Sequence, residues 1–128
     1  MPVSGCRRRL WRGPRDRVCV CVRSSQAAIV CHATSVLLKT KLSDGSPLVS
    51  GKTWTGFADS EEDFADTYVG QRIQPFRIEE EAKKLEGTTF VVNGRFKPFA
   101  VRDGLLITGQ QQYSGGAAAK LVIEALGV

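Results

Sequence analysis

The feature that most constrains this 128-residue chain lies at residue 26, where the apolar run Gln26-Ala27-Ala28-Ile29-Val30 begins and then stops abruptly at Cys31-His32. A short run of that kind, continuous rather than alternating, suits a strand buried on both faces of a parallel sheet. Thr34 to Lys39 then turns helical, so the segment reads as a strand, a sharp turn and a helix. Short strands follow at Pro47-Leu48-Val49 and Thr53-Trp54-Thr55, either side of Gly51. A helix over Asp59 to Ala65 opens on the acid-rich Asp59-Ser60-Glu61-Glu62. The next helix spans Arg77 to Leu85, with Glu79, Glu80 and Glu81 facing Lys83 and Lys84 at helical spacings as a solvated face. Thr88 to Val92, Phe99 to Val101 and Leu105 to Thr108 are expected strands, Asp103-Gly104 a turn, and Gly116 to Leu126 a closing amphipathic helix. This alternation predicts an α/β fold with helices covering a sheet.

Residues 1-25 have another character. They hold seven arginines against one acid, whereas residues 26-128 hold eleven bases and twelve acids, so the overall charge of +5 belongs to the leader. Arg7-Arg8-Arg9-Leu10-Trp11-Arg12 offers phosphate contacts and a stacking ring, but no DNA- or RNA-reading motif accompanies it, which argues against a specific nucleic-acid partner. Gly5, Gly13 and Pro14 interrupt the amphipathic helix of a transit peptide, and Val18-Cys19-Val20-Cys21-Val22 is too short for a secretory apolar core. The leader is therefore expected to be an atypical Arg-rich, disordered segment, with residues 26-128 as the only domain. The longest mixed apolar stretch, Ala27 to Leu38, is broken by Cys31, His32, Thr34 and Ser35 and falls short of the roughly 20 residues that span a bilayer.

Four cysteines, Cys6, Cys19, Cys21 and Cys31, lack the flanking signal that goes with a disulfide framework, so reduced thiols in an intracellular setting are expected. Cys19-x-Cys21 followed by Cys31-His32 does not make a zinc site, because adjacent Cys and His cannot easily fill two corners of a tetrahedron. The chemistry concentrates instead at Cys31. A thiol between a strand and a helix sits at the positive end of the helix dipole, which favours thiolate. The sole histidine, His32, adjoins it and serves as a base where an acid orients the ring. Buried packing is the competing role for a cysteine at a strand end.

Four segments in register carry a family resemblance: Ala27-Ala28-Ile29-Val30-Cys31-His32-Ala33-Thr34, Leu42 to Lys52, Thr55-Gly56-Phe57 with Glu61-Glu62, and Asp103-Gly104-Leu105-Leu106-Ile107-Thr108-Gly109-Gln110. Over residues 26-128 the chain resembles the ThiJ/PfpI superfamily, also called class I glutamine amidotransferase-like, in the branch of the glutathione-independent glyoxalases and heat-shock chaperones. The resemblance implies a flavodoxin-like three-layer sandwich with a mostly parallel sheet, and a nucleophilic cysteine on a strand-to-helix elbow. It makes Cys31 the nucleophile, His32 its neighbouring histidine and Glu62 the acid of the triad, with Glu61 the less favoured alternative. Read locally, an N-cap at Asp59 would put Glu62 at the third helical position, where it caps the helix.

The chain departs from the family pattern at Ala33-Thr34, where Gly and Pro often follow the Cys-His pair, and at Gln110-Gln111-Gln112-Tyr113-Ser114-Gly115, which replaces Gln-Asn-Pro-Ala-Ser. The family's Gly-rich oxyanion loop and the buried Glu of its first half have no counterpart in these residues. The expectation is thus the C-terminal half of such a domain, inactive alone, whose first strand leaves an edge unpaired. By resemblance the reaction converts a 2-oxoaldehyde such as methylglyoxal to a 2-hydroxy acid without glutathione, metal or another cofactor, in the cytoplasm and as part of a stress response. A homodimer stays open as an assembly, no membrane or specific nucleic-acid partner is expected, and the alternative is a non-catalytic chaperone or partner-binding protein of the same fold.

Overall fold

The computed structural model describes residues 26-128; the expectations for the leader, with Cys6, Cys19 and Cys21, lie outside the described residues. Strand β1 (Ala27–Val30) leads directly into a 3-10 helix (Cys31–Leu38), followed by β2 (Thr53–Trp54), α1 (Asp59–Val69), α2 (Ile78–Lys83), β3 (Thr89–Phe90), β4 (Ala100–Asp103), β5 (Leu106–Gly109), a second 3-10 turn (Gln112–Ser114) and α3 (Gly115–Leu126). One sheet has the order β1-β5-β4, with β1 and β5 parallel and β4 and β5 antiparallel; β2 and β3 form a parallel pair. Helices and a largely parallel sheet give the α/β class expected from the alternation.

Burial falls on β5 rather than on β1. All four β5 residues are buried, because β5 has a neighbour along each edge and α3 packs on it, whereas among the described residues β1 pairs on one side only and leaves Ala28 exposed. Among the described residues the apolar run of β1 therefore marks an edge strand, contacted by α3 and packed against the core through Ala27 and Ile29, but less buried than β5. The two sheets are stitched by side chains: Thr53 N–H donates to Asp103 Oδ2 at 2.8 Å and Thr55 N–H to Thr108 Oγ1 at 2.9 Å. The core gathers Leu37, Val49, Trp54, Phe57, Ile78, Ala82 and Leu106. Trp54 is fully buried, its ring edge-on to Phe90 at 4.8 Å and its Nε1–H donated to Thr88 Oγ1 at 2.9 Å, so its one polar atom has a partner.

Several boundaries differ from the sequence reading for visible reasons. Pro47-Leu48-Val49 is not a strand: Pro47 makes an isolated bridge with Lys41, and Val49 is apolar because it enters the core from a turn. The first α-helix runs to Val69, where Gly70 at φ 83° ends it in the left-handed conformation that glycine takes most readily. The second is shorter than Arg77 to Leu85, and Thr88 to Val92 contributes a strand of two residues. Its acidic run is not wholly solvated either: Glu79 is buried, accepts the Asp59 N–H at 2.7 Å and meets Lys83 Nζ at 2.5 Å. The loop between α1 and α2 is held by Asp66, which accepts the Ile73 N–H at 2.8 Å, and by Arg77, which pairs with Asp63 at 2.6 Å and Asp66 at 2.9 Å. No helix among the described residues is long and apolar enough to cross a membrane.

Candidate functional site

Cys31 is the first residue after β1 and has φ 61°, a left-handed backbone that a side chain with a Cβ rarely adopts. The surroundings impose it. Val30 is still extended, the 3-10 helix must start at once, and Thr34 Oγ1 donates back to the Cys31 carbonyl at 2.7 Å. Two glycines make room for the turn. A Cβ on Gly109 would lie 2.6 Å from Val30 Cγ1, and one on Gly56 would lie 2.2 Å from Thr34 Oγ1. The chain thus packs glycine backbone against both sides of the elbow.

His32 follows, half-exposed, with its ring stacked on Phe57 at 3.9 Å between centroids. Its Nε2 lies 2.8 Å from Glu62 Oε1 and its Nδ1 3.5 Å from Cys31 Sγ. A carboxylate accepts only, so the neutral ring carries its proton on Nε2 and leaves Nδ1 free to accept from the thiol. Cys31, His32 and Glu62, brought together from two elements thirty residues apart, have the connectivity of a nucleophile, a base and an orienting acid.

The neighbouring glutamates part company here. The N-cap of α1 is Ala58 and not Asp59, which shifts the helical positions by one and puts Glu61 in the third. It is therefore Glu61 whose Oε2 reaches back to accept the Ala58 N–H at 3.0 Å, while Glu62, one residue on, points to the imidazole. Glu61 is fully buried, and its Oε1 also accepts from Phe96 N–H at 3.0 Å and Gln110 Nε2 at 2.8 Å. Capping by Glu62, expected from an Asp59 N-cap, does not occur.

Burial pushes the Cys31 thiol above its ordinary value, and the Glu61 and Glu62 carboxylates add to the rise; the backbone N–H groups of His32 and Gln112 act the other way. This reverses the lowered value expected from the helix dipole alone. Two carboxylates at the start of α1 act on the same thiol through space, and the desolvation of a half-buried sulfur outweighs the favourable peptide groups. Among the described residues no group of three or more His, Cys, Asp and Glu side chains is placed to hold a metal ion. Sequence reasoning did not single out Phe57 as the ring under His32, Glu61 as a buried anchor, or Gln112 as a backbone neighbour of the thiol. The only signal for the first two was their place in the Thr55-Gly56-Phe57 and Glu61-Glu62 segment.

No family model matches the chain. It is similar to glyoxalase 3 of Candida albicans, with 35% identity over 101 residues that make up 75% of this chain and 42% of that protein. Among solved structures it is similar to glyoxalase III from Candida albicans, with a TM-score of 0.62, 29% identity, and coverage of 80% of this chain and 44% of that one. It is also similar to the crystal structure of APC35852, with a TM-score of 0.67, 42% identity, and coverage of 77% of this chain and 43% of that one. The chain spans less than half the length of each. These likenesses support the ThiJ/PfpI family and a flavodoxin-like α/β fold.

Proposed function

We propose that residues 26-128 are the C-terminal portion of a glutathione-independent glyoxalase, with Cys31 as nucleophile, His32 as its base and Glu62 as the acid that orients the imidazole. The observation that carries the reading is the Cys31 elbow at φ 61° with Sγ 3.5 Å from His32 Nδ1 and His32 Nε2 2.8 Å from Glu62 Oε1. The homology to glyoxalase 3 supports it at the level of the family.

In this reading the resting thiol is protonated, as its raised value requires, and His32 Nδ1 takes the proton as sulfur attacks. Sγ bonds to the aldehyde carbon of a 2-oxoaldehyde, and the imidazolium returns the proton to the carbonyl oxygen, giving a hemithioacetal. A base takes the hydrogen on that carbon as a proton while the neighbouring carbonyl oxygen is protonated, which gives an enediol with no net change in protons. Its reprotonation at the neighbouring carbon leaves a 2-hydroxy thioester on Cys31. Water then cleaves the C–S bond, so that one aldehyde and one water yield one 2-hydroxy acid and the free thiol. Glu62 holds the ring through Nε2 and stabilises the imidazolium. Neither glutathione nor a metal takes part.

The proposal extends to a cytoplasmic location, a role in aldehyde stress, and low activity of the 128-residue chain by itself, since it spans 42% of its curated relative. The test joins residues 26-128 to the N-terminal portion of the Candida glyoxalase and follows methylglyoxal conversion to lactate, beside chain 1-128 alone. The fused protein is expected to turn over and to lose activity on Cys31→Ser, with the isolated chain below detection. A folded fusion without turnover, or with turnover indifferent to Cys31→Ser, would sink the enzymatic reading and leave the chaperone-like alternative. Cys31-dependent turnover by 1-128 alone would mean that copies of this chain complete the site together.

A further inference from the structure

We propose that Glu61 is a positioning residue for the Cys31-His32-Glu62 site: its buried carboxylate ties the first turn of α1 to the 93-96 loop and to the turn after β5, and so fixes Glu62 against His32. The inference rests on the reading of that triad given above. It starts from a carboxylate that has no exposed surface and no cationic partner among the described residues, yet accepts three N–H bonds, from Ala58, Phe96 and the Gln110 side chain. Each donor comes from a different piece of chain.

Ala58 is the N-cap of α1, so its tie to Glu61 sets the rotation at which the helix begins and hence the direction of the next side chain, Glu62. Phe96 has φ 56°, the second left-handed residue with a side chain among those described, and its N–H is turned onto Glu61 at 3.0 Å. Gln110 is also fully buried; its Oε1 accepts the Asn93 N–H at 2.7 Å and its Nε2 donates to the Asn93 carbonyl at 3.2 Å as well as to Glu61. Through Gln110 the carboxylate holds the end of β5, where Gly109 pairs with Val30, the residue before Cys31. One side chain therefore joins the element that carries Glu62 to the strand that pairs beside Cys31.

All three partners are donors. A carboxylate accepts at both oxygens, whereas a carboxamide must present an NH2 to one of the two sets. Glu61→Gln keeps the volume and keeps its carbonyl toward either Ala58 or the Phe96 and Gln110 pair, but not both. The substitution thus separates packing from positioning.

The test uses the single imidazole of the chain. Long-range 1H–15N spectra of the full 128-residue protein report which ring nitrogen of His32 holds the proton. The wild type is expected to show the Nε2–H form, held by Glu62. Glu61→Gln should move the ring toward a mixture of both tautomers, as should Glu62→Ala, which removes the acceptor at Nε2, while Glu80→Gln on exposed α2 surface should leave it unchanged. A lower melting temperature in Glu61→Gln with the His32 tautomer unmoved would make Glu61 a merely structural residue and overturn the proposal. Where Glu61→Gln fails to fold, amide exchange in the wild type decides. The Ala58 and Phe96 amides should exchange together, slowed by about 100-fold or more, and exchange of either at the unprotected rate refutes the tie. Neither readout depends on turnover, so failure of the glyoxalase reading leaves this result separately interpretable.

Discussion

Replacing Cys31 by glycine should stabilise the protein relative to replacing it by alanine, which inverts the usual order of these residues. Both variants lose the thiol and its contact with His32, so their difference isolates the backbone. A residue with a Cβ at φ 61° is disfavoured by about 1–2 kcal/mol relative to the right-handed region. Glycine escapes that cost but loses about 0.5–1 kcal/mol through its greater freedom in the unfolded chain. The net is about 0.5 kcal/mol in favour of glycine, against a deficit of about 0.5–1 kcal/mol expected at a residue with ordinary φ. With a urea slope of about 2 kcal/mol/M, the glycine variant should unfold at a midpoint about 0.25 M higher than the alanine variant, with unchanged slope. Equilibrium urea curves followed by Trp54 fluorescence and by far-ultraviolet circular dichroism measure it. A glycine variant that melts below the alanine variant would show that position 31 is not held left-handed, and the elbow geometry behind the nucleophile assignment would fall with it.

Gly109→Ala should cost about 1–3 kcal/mol, the usual range for forcing an extra methyl into a packed site, since the new Cβ meets Val30 Cγ1 at 2.6 Å and Ser114 Cβ at 3.1 Å; a midpoint equal to wild type would contradict the close approach. Cys31 should alkylate more slowly with iodoacetamide at pH 8 than free cysteine does, because burial raises its thiol. The same shift means that the neutral buried thiol contributes stability in full below the ordinary thiol value and loses it as pH rises through the raised folded value, so Cys31→Ala should flatten the alkaline fall in stability. Asp66 is held below the usual carboxylate range by the Ile73 N–H and by Arg77. Its share of stability is therefore present above that range and lost as pH falls, and in acid titrations Asp66→Asn should narrow the stability difference between neutral and acidic pH.

How much of this was legible in the residues can be judged element by element. The Cys31-His32 junction could be read because a continuous apolar run has to end somewhere, and a thiol beside the sole histidine marks the place. Glu62 as the imidazole's partner came from the resemblance, since nothing local brings residue 62 to residue 32. The local argument, that an acid three residues after Asp59 caps the helix, failed by one position because Ala58, with no side-chain acceptor, occupies the N-cap. Propensity could not foresee that, since the Ala58 N–H is satisfied by Glu61 and not by a residue of the usual capping type. Val49 and Glu79 misled in opposite directions, one apolar without being in a strand and the other charged without being solvated. In both, tertiary contacts overrode the local pattern. The rise in the Cys31 thiol was equally out of reach, because it depends on carboxylates that only the folded chain brings near.

The acidic tandem at the start of α1 also bears on which insertions and deletions a lineage can tolerate. Helical residues advance by about 100° each, so Glu61 and Glu62 perform different tasks only because Ala58 sets the phase. Insertion of one residue between Ala58 and Glu61 would carry Glu61 into the slot facing His32 and leave the interior slot to Ser60. Deletion of one would bring Glu62 into the interior slot and Asp63, shorter by a methylene, toward the ring. Three consecutive acids, Glu61-Glu62-Asp63, thus keep a carboxylate opposite the imidazole through a frameshift of one position either way. The interior slot has no such reserve on its N-terminal side, so natural length variation should be excluded from Ala58 to Ser60 sooner than from the exposed end of the helix near Tyr68.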